Sequence, residues 1–166
     1  MPTLQPFAPW QDVADYILAP SGNIEGGTAR WQLAGGAAAV EGNEPYRVGG
    51  AADHTALALP AASRATTASM CIGVEHRTMR FFARGTPSSS LDVEVLYRKK
   101  NAGPQKSVRL GAVAGRGTWA PTDILPMIVN VLAAETGNAM DVNLRFTPRS
   151  GSWTIDDVYV DPYRKG

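Results

Sequence analysis

Apolar and polar side chains alternate with a period of two residues in one segment of the sequence after another. In SLDVEVLYR, Leu91 and Val93 share one parity, and Asp92 and Glu94 share the other. Successive side chains of a strand point to opposite faces, so this period predicts a strand with one buried face. The segment KSVRLGAV repeats the pattern, and the turn residues of KKNAGPQ separate the two segments. We therefore predict a β-hairpin over residues 90–113.

The same signal recurs along the chain with little sign of helix. Strands are predicted in ARWQLAG, AAAVEG, TALALP, SMCIGVEH, TMRFFAR, MDVNLRFTP and WTIDDVYV, and one helix in PWQDVADYIL. The 17 glycines and 12 prolines interrupt the chain often, as short strands joined by turns require. The pattern predicts an all-β protein, a two-sheet antiparallel β-sandwich, and 166 residues suit a single domain. We expect the sandwich core over residues 21–163, and either an N-terminal arm or a packed extension over residues 1–20.

Composition excludes several classes of protein. We expect no nucleic-acid partner, because the net charge is only +1. We expect no membrane insertion, because no segment approaches the ~20 apolar residues that cross a bilayer. The N-terminus lacks a basic start followed by an apolar run, so no signal peptide is predicted. The single cysteine, Cys71, excludes an intrachain disulfide framework and a multi-cysteine zinc site, and its apolar setting predicts a buried thiol.

The hydrophobic phase slips within the last predicted strand, WTIDDVYV. Trp153 and Ile155 share one parity, whereas Val158 and Val160 fall on the other, and Asp156–Asp157 lie at the change. A β-bulge produces such a slip, because its extra residue re-aims every side chain after it. Without a bulge, one carboxylate points at the core and needs a cation or hydrogen-bond donors. The two aspartates are therefore either metal ligands or the acceptors of a hydrogen-bonded or arginine-paired bulge.

The order of GNIEGG, WQLAGGAAAVEG, TALALP and the closing WTIDDVYVDP resembles that of galactose-binding-like jelly rolls. This class includes many carbohydrate-binding modules. The resemblance implies a jelly-roll β-sandwich and a structural Ca²⁺ held by Glu25 and Asp156, with Asn23 and Asp157 as further candidate ligands; no other cofactor is implied.

The fuller chain, including PFAPW, GNEPY and RFFAR, resembles an uncharacterised and mostly secreted group of bacterial proteins, largely actinobacterial. This resemblance implies a secreted or cell-surface protein, although no signal peptide is predicted in the chain.

Catalytic constellations are missing from the sequence. Catalysis by Cys71 needs a histidine, and only His54 and His76 are present. Cys71 and His76 lie five residues apart on one predicted strand, so we expect them on opposite faces. There is no G-x-S-x-G, H-E-x-x-H or Walker motif. We predict a non-catalytic binding or structural domain that acts extracellularly or at a surface, with a hydrolase as the remote alternative.

Two loop aromatics are candidates for a glycan site. Trp119 follows a glycine-rich turn in GRGTWAPT, and Tyr46 lies in GNEPYRVGG beside Asn43 and Arg47. Binding modules recognise sugars through exposed aromatic planes beside polar groups, so these four residues form the predicted ligand site. Each aromatic also has the alternative role of packing against an end of the sandwich.

The second functional hypothesis is a protein-binding or self-assembling subunit. It uses an edge strand or a charged sheet face, the latter formed by outward-facing residues of several predicted strands. These residues are Arg80, Asp92, Glu94, Arg109 and Arg145. If their strands are neighbours, we expect a lattice of cross-strand ion pairs.

Overall fold

The computed structural model of the protein describes residues 3–98, 103–129, 132–133, 137 and 139–162. Within them, one 3₁₀ helix, Ala8–Trp10, precedes thirteen strands. The strands are β1 Ile17–Leu18, β2 Gln32–Ala34, β3 Ala38–Glu41, β4 Thr55–Leu59, β5 Arg64–Thr66, β6 Met70–Gly73, β7 His76–Gly85, β8 Ser90–Tyr97, β9 Lys106–Ala114, β10 Ala120–Pro121, β11 Leu125–Pro126, β12 Ala139–Ser150 and β13 Trp153–Pro162. None of the described helices has the length and apolar character that a bilayer span needs.

The strands form two antiparallel sheets. A seven-stranded sheet has the order β10-β7-β13-β4-β3, with β1 on β13 and β11 on β7. A six-stranded sheet has the order β2-β5-β12-β8-β9, with β6 on β12. A large apolar cluster lies between them and takes side chains from both, including Phe81 and Ile155 from one sheet and Val93 and Phe146 from the other. The predicted all-β, two-sheet sandwich is confirmed.

The predicted hairpin is confirmed as β8 and β9, with Leu91 opposite Val113 and Tyr97 opposite Lys106. Its tip, residues 99–102, lies outside the described residues. The predicted helix in PWQDVADYIL is wrong beyond its first turn. Gln11 adopts a left-handed conformation (φ 64°) that ends the 3₁₀ helix, and Ile17 pairs with Val160 of β13.

The N-terminal segment packs on the outer face of the seven-stranded sheet. Phe7 stacks on Phe82 of β7 at a centroid distance of 5.2 Å and meets Tyr16 edge-on at 5.0 Å. With Tyr159 of β13 they form a second buried aromatic cluster, separate from the core between the sheets. The described part of residues 1–20 therefore covers one portion of this face and leaves the rest for other segments or solvent.

Candidate functional site

The predicted bulge in β13 is confirmed at the two aspartates. Asp156 lies opposite Phe82 of β7, and Tyr159 lies opposite Arg80, so two residues of β13 face one residue of β7. Asp157 adopts φ 50°, the left-handed conformation that absorbs an extra residue. Beyond the bulge, Val158 joins the same core as Ile155, and the apolar phase is restored. Both aspartates are fully buried.

The loop between β3 and β4 brings two further acids to the bulge. Carboxylate oxygens of Glu44, Asp53 and Asp157 lie within 4.8 Å of one another, and all three residues are buried. The charges of Asp157 and Asp53 raise the pKa of Asp156, and the charge of Glu25 raises the pKa of Asp157, so Asp156 and Glu25 belong to the same cluster. We call these five residues the acidic cluster.

Backbone N–H groups orient two members of the acidic cluster, Glu44 and Glu25. The Glu44 carboxylate accepts hydrogen bonds from the N–H groups of Tyr46, Arg47 (2.9 Å) and Val48 (2.7 Å). Glu25 Oε1 accepts from the N–H of His54 at 2.9 Å, and its Oε2 lies 2.8 Å from His54 Nδ1. Burial works to raise the pKa of Glu25, but these backbone hydrogen bonds outweigh it and lower that pKa. Both carboxylates are thus held in place, and the lowered pKa of Glu25 favours its ionised form.

Five carboxylate oxygens of the three aspartates lack hydrogen-bond partners in the described chain. The sixth, Asp156 Oδ1, accepts the Asp157 N–H at 2.8 Å. Both carboxylate oxygens of Asp53 and Asp157, and Oδ2 of Asp156, are buried without a hydrogen-bond donor in the described part of the chain. Burial, followed by the charges of Asp53 and Glu44, raises the pKa of Asp157 to about 7. Burial, followed by the charge of Asp157, raises the pKa of Asp156 to about 9. Burial, followed by Glu25, raises the pKa of Asp53 to about 6.

These observations fit a hard divalent cation. Ca²⁺ takes carboxylate oxygens as ligands, and unpaired buried carboxylate oxygens are costly unless a cation or donor satisfies them. No lysine or arginine forms an ion pair with the cluster among the residues that the structure describes. Pairing with an arginine, which was one alternative for the aspartates of the bulge, is therefore not found in the described chain.

Three of the four predicted metal ligands, Glu25, Asp156 and Asp157, come together in this cluster. The fourth, Asn23, lies in the turn before Glu25, and within the described chain no hydrogen bond links its side chain to the carboxylates. Glu44 and Asp53 were missed. The only sequence signal for them is an acid in a glycine-rich loop, which has no period to show where its side chain points.

Two of the predicted glycan-site residues meet on the surface. Tyr46, 45% exposed, donates a hydrogen bond from its hydroxyl to the backbone oxygen of Trp119 at 3.0 Å, across 73 residues of sequence. Its ring contacts Trp10 edge-on at 4.7 Å and lies 5.7 Å from Phe82. Trp10, which the sequence did not single out as a site residue, completes what we call the aromatic surface: Trp10, Tyr46 and Trp119.

The other two predicted residues have different surroundings. The Asn43 side-chain amide lies near Asp53, where it opposes the rise in the Asp53 pKa, so it belongs beside the acidic cluster. Arg47 is exposed, and its backbone N–H holds Glu44. The aromatic surface and the acidic cluster are thus adjacent, because Glu44 and Tyr46 are two residues apart in one loop.

A groove lies beside the aromatic surface, where the outer face of the seven-stranded sheet is open. Arg84 of β7, Thr154 of β13, Ala58 of β4 and Ala38 of β3 lie directly opposite one another across four strands. The Arg84 guanidinium lies 5.5 Å from the centre of the Trp119 ring. A cavity of about 270 Å³ at this end, which we call the Arg84 groove, is lined by Arg84, Gly85, Thr86, Gly117, Ser152, Trp153 and Thr154.

The predicted charged face is confirmed in four of its five residues. On the six-stranded sheet Arg109 pairs with Asp92 at 2.7 Å, and Arg145 pairs with Glu94 at 2.8 Å, on neighbouring strands. The prediction for Arg80 is wrong, because this residue lies in β7 of the seven-stranded sheet. It is 8% exposed there under the N-terminal segment.

The partners of Arg80 explain its burial. Its Nη1 donates to Asp12 at 2.6 Å, and its Nε and Nη2 donate to the Thr122 backbone oxygen at 2.9 and 2.7 Å. All of these guanidinium contacts are internal, so Arg80 does not contribute to an outward-facing charged surface.

The expectation for Cys71 is also wrong. The thiol is exposed, and the predicted strand SMCIGVEH is two strands, β6 in one sheet and β7 in the other. Cys71 and His76 line one cavity of about 290 Å³ as a result. His76 Nδ1 accepts the Gly73 N–H at 2.9 Å, so the neutral ring carries its proton on Nε2 and has no free nitrogen to take a thiol proton.

No protein-family model matches the sequence, and no curated protein matches it. Solved structures do share the fold. The CBM22-1–GH10 modules of the xylanase Xyn10B of Clostridium thermocellum, complexed with xylohexaose, match with a TM-score of 0.59 and 14% identity, over 87% of this chain and 27% of that one.

Two isolated modules match nearly end to end. The CBM22-2 xylan-binding domain of Paenibacillus barcinonensis Xyn10C matches with a TM-score of 0.56 and 11% identity, over 85% of this chain and 97% of that one. A family 11 carbohydrate-binding module of the Clostridium thermocellum cellulase Lic26A-Cel5E matches with a TM-score of 0.54 and 9% identity, over 91% and 96%. The chain therefore has the jelly-roll β-sandwich fold of carbohydrate-binding modules, as its resemblance implied.

Proposed function

We propose that the protein is a non-catalytic module that binds a polysaccharide at the outer face of its seven-stranded sheet. The contact that carries the proposal is the hydrogen bond from Tyr46 to Trp119 at 3.0 Å. It joins two distant loops into one aromatic surface beside the Arg84 groove, in which Tyr46 is exposed and Trp10 and Trp119 are half-buried. Modules of the same fold support it, since one is described as a xylan-binding domain and another is complexed with xylohexaose. Such a ligand places the site of action outside the cell.

The chemistry of the surface suits a sugar chain. Aromatic rings pack against the C–H faces of sugars, and neighbouring hydroxyl groups bind their oxygens. Tyr46 is held between Trp10 and Phe82, so little conformational entropy is lost when a sugar packs against its ring. Thr154 and Ser152 lie in the adjoining groove and offer hydroxyl groups.

We include a structural Ca²⁺ in this proposal. Glu44, Asp53 and Asp157 are its inner ligands, with Glu25 and Asp156 beside them. The cation would join the loop 42–54 to the bulge of β13, and that loop carries Tyr46. Metal binding is therefore expected to hold the sugar-contacting side chain in place as well as to stabilise the fold.

The absence of catalysis is part of the proposal and is supported by chemistry. The Cys71–His76 pair has no free imidazole nitrogen to act as a base, and His54 is engaged with Glu25. Three carboxylates of the acidic cluster, those of Glu44, Asp53 and Asp157, lie within 4.8 Å of one another, whereas glycosidases separate their two carboxyl groups by roughly 5–9 Å across a sugar.

Retention on polysaccharides tests this function. The protein is run by affinity electrophoresis through gels containing xylan, mixed-linkage β-glucan or galactan, together with Tyr46→Ala and a control, Ile124→Ala, whose side chain is similarly exposed at 53%. We expect Tyr46→Ala to weaken retention by about tenfold, ~1.4 kcal/mol, and the control to match the wild type. Circular dichroism verifies that each variant is folded. Folded Tyr46→Ala with unchanged retention, or no retention of the wild type by any polysaccharide, contradicts the proposal.

A further inference from the structure

We propose that the polysaccharide bound here is acidic, and that Arg84 receives the carboxylate of a uronic acid residue. This inference rests on the proposed function and adds the chemical class of the ligand.

Unlike Arg80, Arg109, Arg145 and Arg149, Arg84 forms no ion pair within the described residues. It is exposed on the outer face of β7, and no carboxylate pairs with it among the described residues. Arg80, four residues earlier on the same face, pairs with Asp12 and donates to the Thr122 backbone oxygen. On the six-stranded face Arg109, Arg145 and Arg149 pair with Asp92 or Glu94. Arg64 of β5, like Arg84, has no ion pair in the described chain. Arg84 therefore remains available for a ligand, and its guanidinium lies against the Trp119 ring at the groove.

Its guanidinium is oriented by the aromatic surface. The group lies over the Trp119 ring at 5.5 Å, and Trp119 is in turn held through its backbone oxygen by Tyr46. A guanidinium stacked on an aromatic ring keeps its in-plane N–H groups free, and these match a planar carboxylate in a bidentate arrangement. A cation in this position distinguishes acidic from neutral sugar residues where the bound polysaccharide passes from the aromatic surface into the groove.

The groove itself contains no acid that competes for Arg84. Apart from Trp153, the rest of its lining is glycine, serine or threonine. Thr86 and Ser152 are hydrogen-bonded to each other, with the Ser152 N–H donating to Thr86 Oγ1 at 3.1 Å. Thr154 lies directly opposite Arg84 and is available to a sugar hydroxyl. Arg47, the residue after Tyr46, is exposed and also lacks an ion pair in the described chain. The lining of the groove thus has one cation, Arg84, and no anion, which favours a negatively charged ligand there.

Two matched pairs of polymers test this inference: glucuronoxylan against xylan freed of its glucuronate, and polygalacturonate against its carboxyl-reduced form. Affinities are measured by affinity electrophoresis and calorimetry for the wild type, Arg84→Gln and Arg84→Lys. The control is Arg149→Gln, which removes the same charge from the six-stranded face.

We expect the wild type to prefer the acidic member of at least one pair by about tenfold, and the preference to fall as salt rises because Arg84 is exposed. Arg84→Gln should reduce the ratio of the two affinities to near one. Arg84→Lys should keep part of it, because charge remains and the bidentate geometry is lost. Arg149→Gln should match the wild type.

The outcomes separate this inference from the proposed function. Equal affinity for both members of each pair, or a preference that survives in Arg84→Gln, overturns the acidic ligand and leaves polysaccharide binding in place. Loss of preference in Arg149→Gln also overturns it, since bulk charge would then be the cause. Failure to bind any acidic or neutral polysaccharide overturns both.

Discussion

Without Ca²⁺, repulsion among the carboxylates of the acidic cluster should make the stability of the fold depend on pH. The size of this effect follows from the structure. In the absence of a cation, the pKa of Asp157 is raised from 3.8 to about 7 by burial and by its acidic neighbours. The folded protein then holds a proton that the unfolded chain has released between pH ~4 and pH ~7. Because the folded-state pKa is the higher one, stability is lost as the pH rises through this window. The rise corresponds to roughly 4 kcal/mol for this group alone.

The proposed Ca²⁺ should reverse that sign, because it would bind the ionised carboxylates and displace the proton. A cation at a hundred times its Kd stabilises the folded state by about 2.7 kcal/mol. For a chain of this size, such a gain raises the melting temperature by roughly 5–11 °C. The assay is a thermal melt followed by circular dichroism across pH, in Ca²⁺ and in chelator. With chelator, the melting temperature should fall from pH ~4 to pH ~7. With Ca²⁺, the fall should disappear.

Asp157→Asn provides the sharper test. It removes a ligand and a buried negative charge together, so the variant should lose its response to Ca²⁺ while melting no lower than the chelated wild type at neutral pH. The control is Asp92→Asn, which removes one charge from the six-stranded face and leaves the cluster intact. It should keep the full Ca²⁺ response. Identical wild-type melts in Ca²⁺ and chelator at every pH would refute the metal site, and the carboxylates would then be a protonated, hydrogen-bonded bulge.

Three further predictions follow from other parts of the molecule. Asp12→Asn leaves the buried guanidinium of Arg80 without its counter-ion, and should lower the free energy of unfolding in urea by about 3 kcal/mol; a loss below ~0.5 kcal/mol would show that this pair is unimportant. Cys71 should react with a thiol reagent in the folded protein at the rate of a free cysteine, because its side chain is exposed, and slow reaction that needs denaturant would contradict the exposed position. Chelation should weaken polysaccharide retention several-fold in affinity electrophoresis, because Glu44 anchors the loop that carries Tyr46, whereas retention that is independent of Ca²⁺ would separate the two sites.

Two register shifts show which structural details are visible in a sequence. The bulge in β13 was predictable because large apolar residues on both sides of Asp156–Asp157 report the phase before and after it. A second shift occurs in the β8–β9 hairpin, where Val93 lies opposite Gly111 and Glu94 lies opposite Arg109. It was not predicted, because Gly111 and Ala112 have side chains too small to indicate which face they occupy. As a result, Ala112 lies opposite Asp92 and is exposed, although uninterrupted alternation from Val108 and Leu110 would place it inward.

The error at SMCIGVEH has a related cause. An apolar run of this length satisfies the requirements of one continuous strand, and its period contains no information about which sheet each part joins. The chain turns after Gly73, where the Gly73 N–H binds His76, and passes from one sheet to the other. That turn places Cys71 and His76 on one cavity, although alternation along a single strand would separate them.

Local side-chain alternation was enough to determine the class of fold, because the burial of one strand face is recorded in every second residue. Alternation also located the bulge. The resemblance to jelly rolls implied three of the five acidic residues of the cluster as metal ligands. The remaining two, Glu44 and Asp53, and the meeting of Tyr46 with Trp119 and Arg84, come from loops and from strands distant in sequence. A loop has no period, and the pairing of distant strands is set by packing of the whole core. Only the tertiary structure could therefore bring these side chains to one face of the protein.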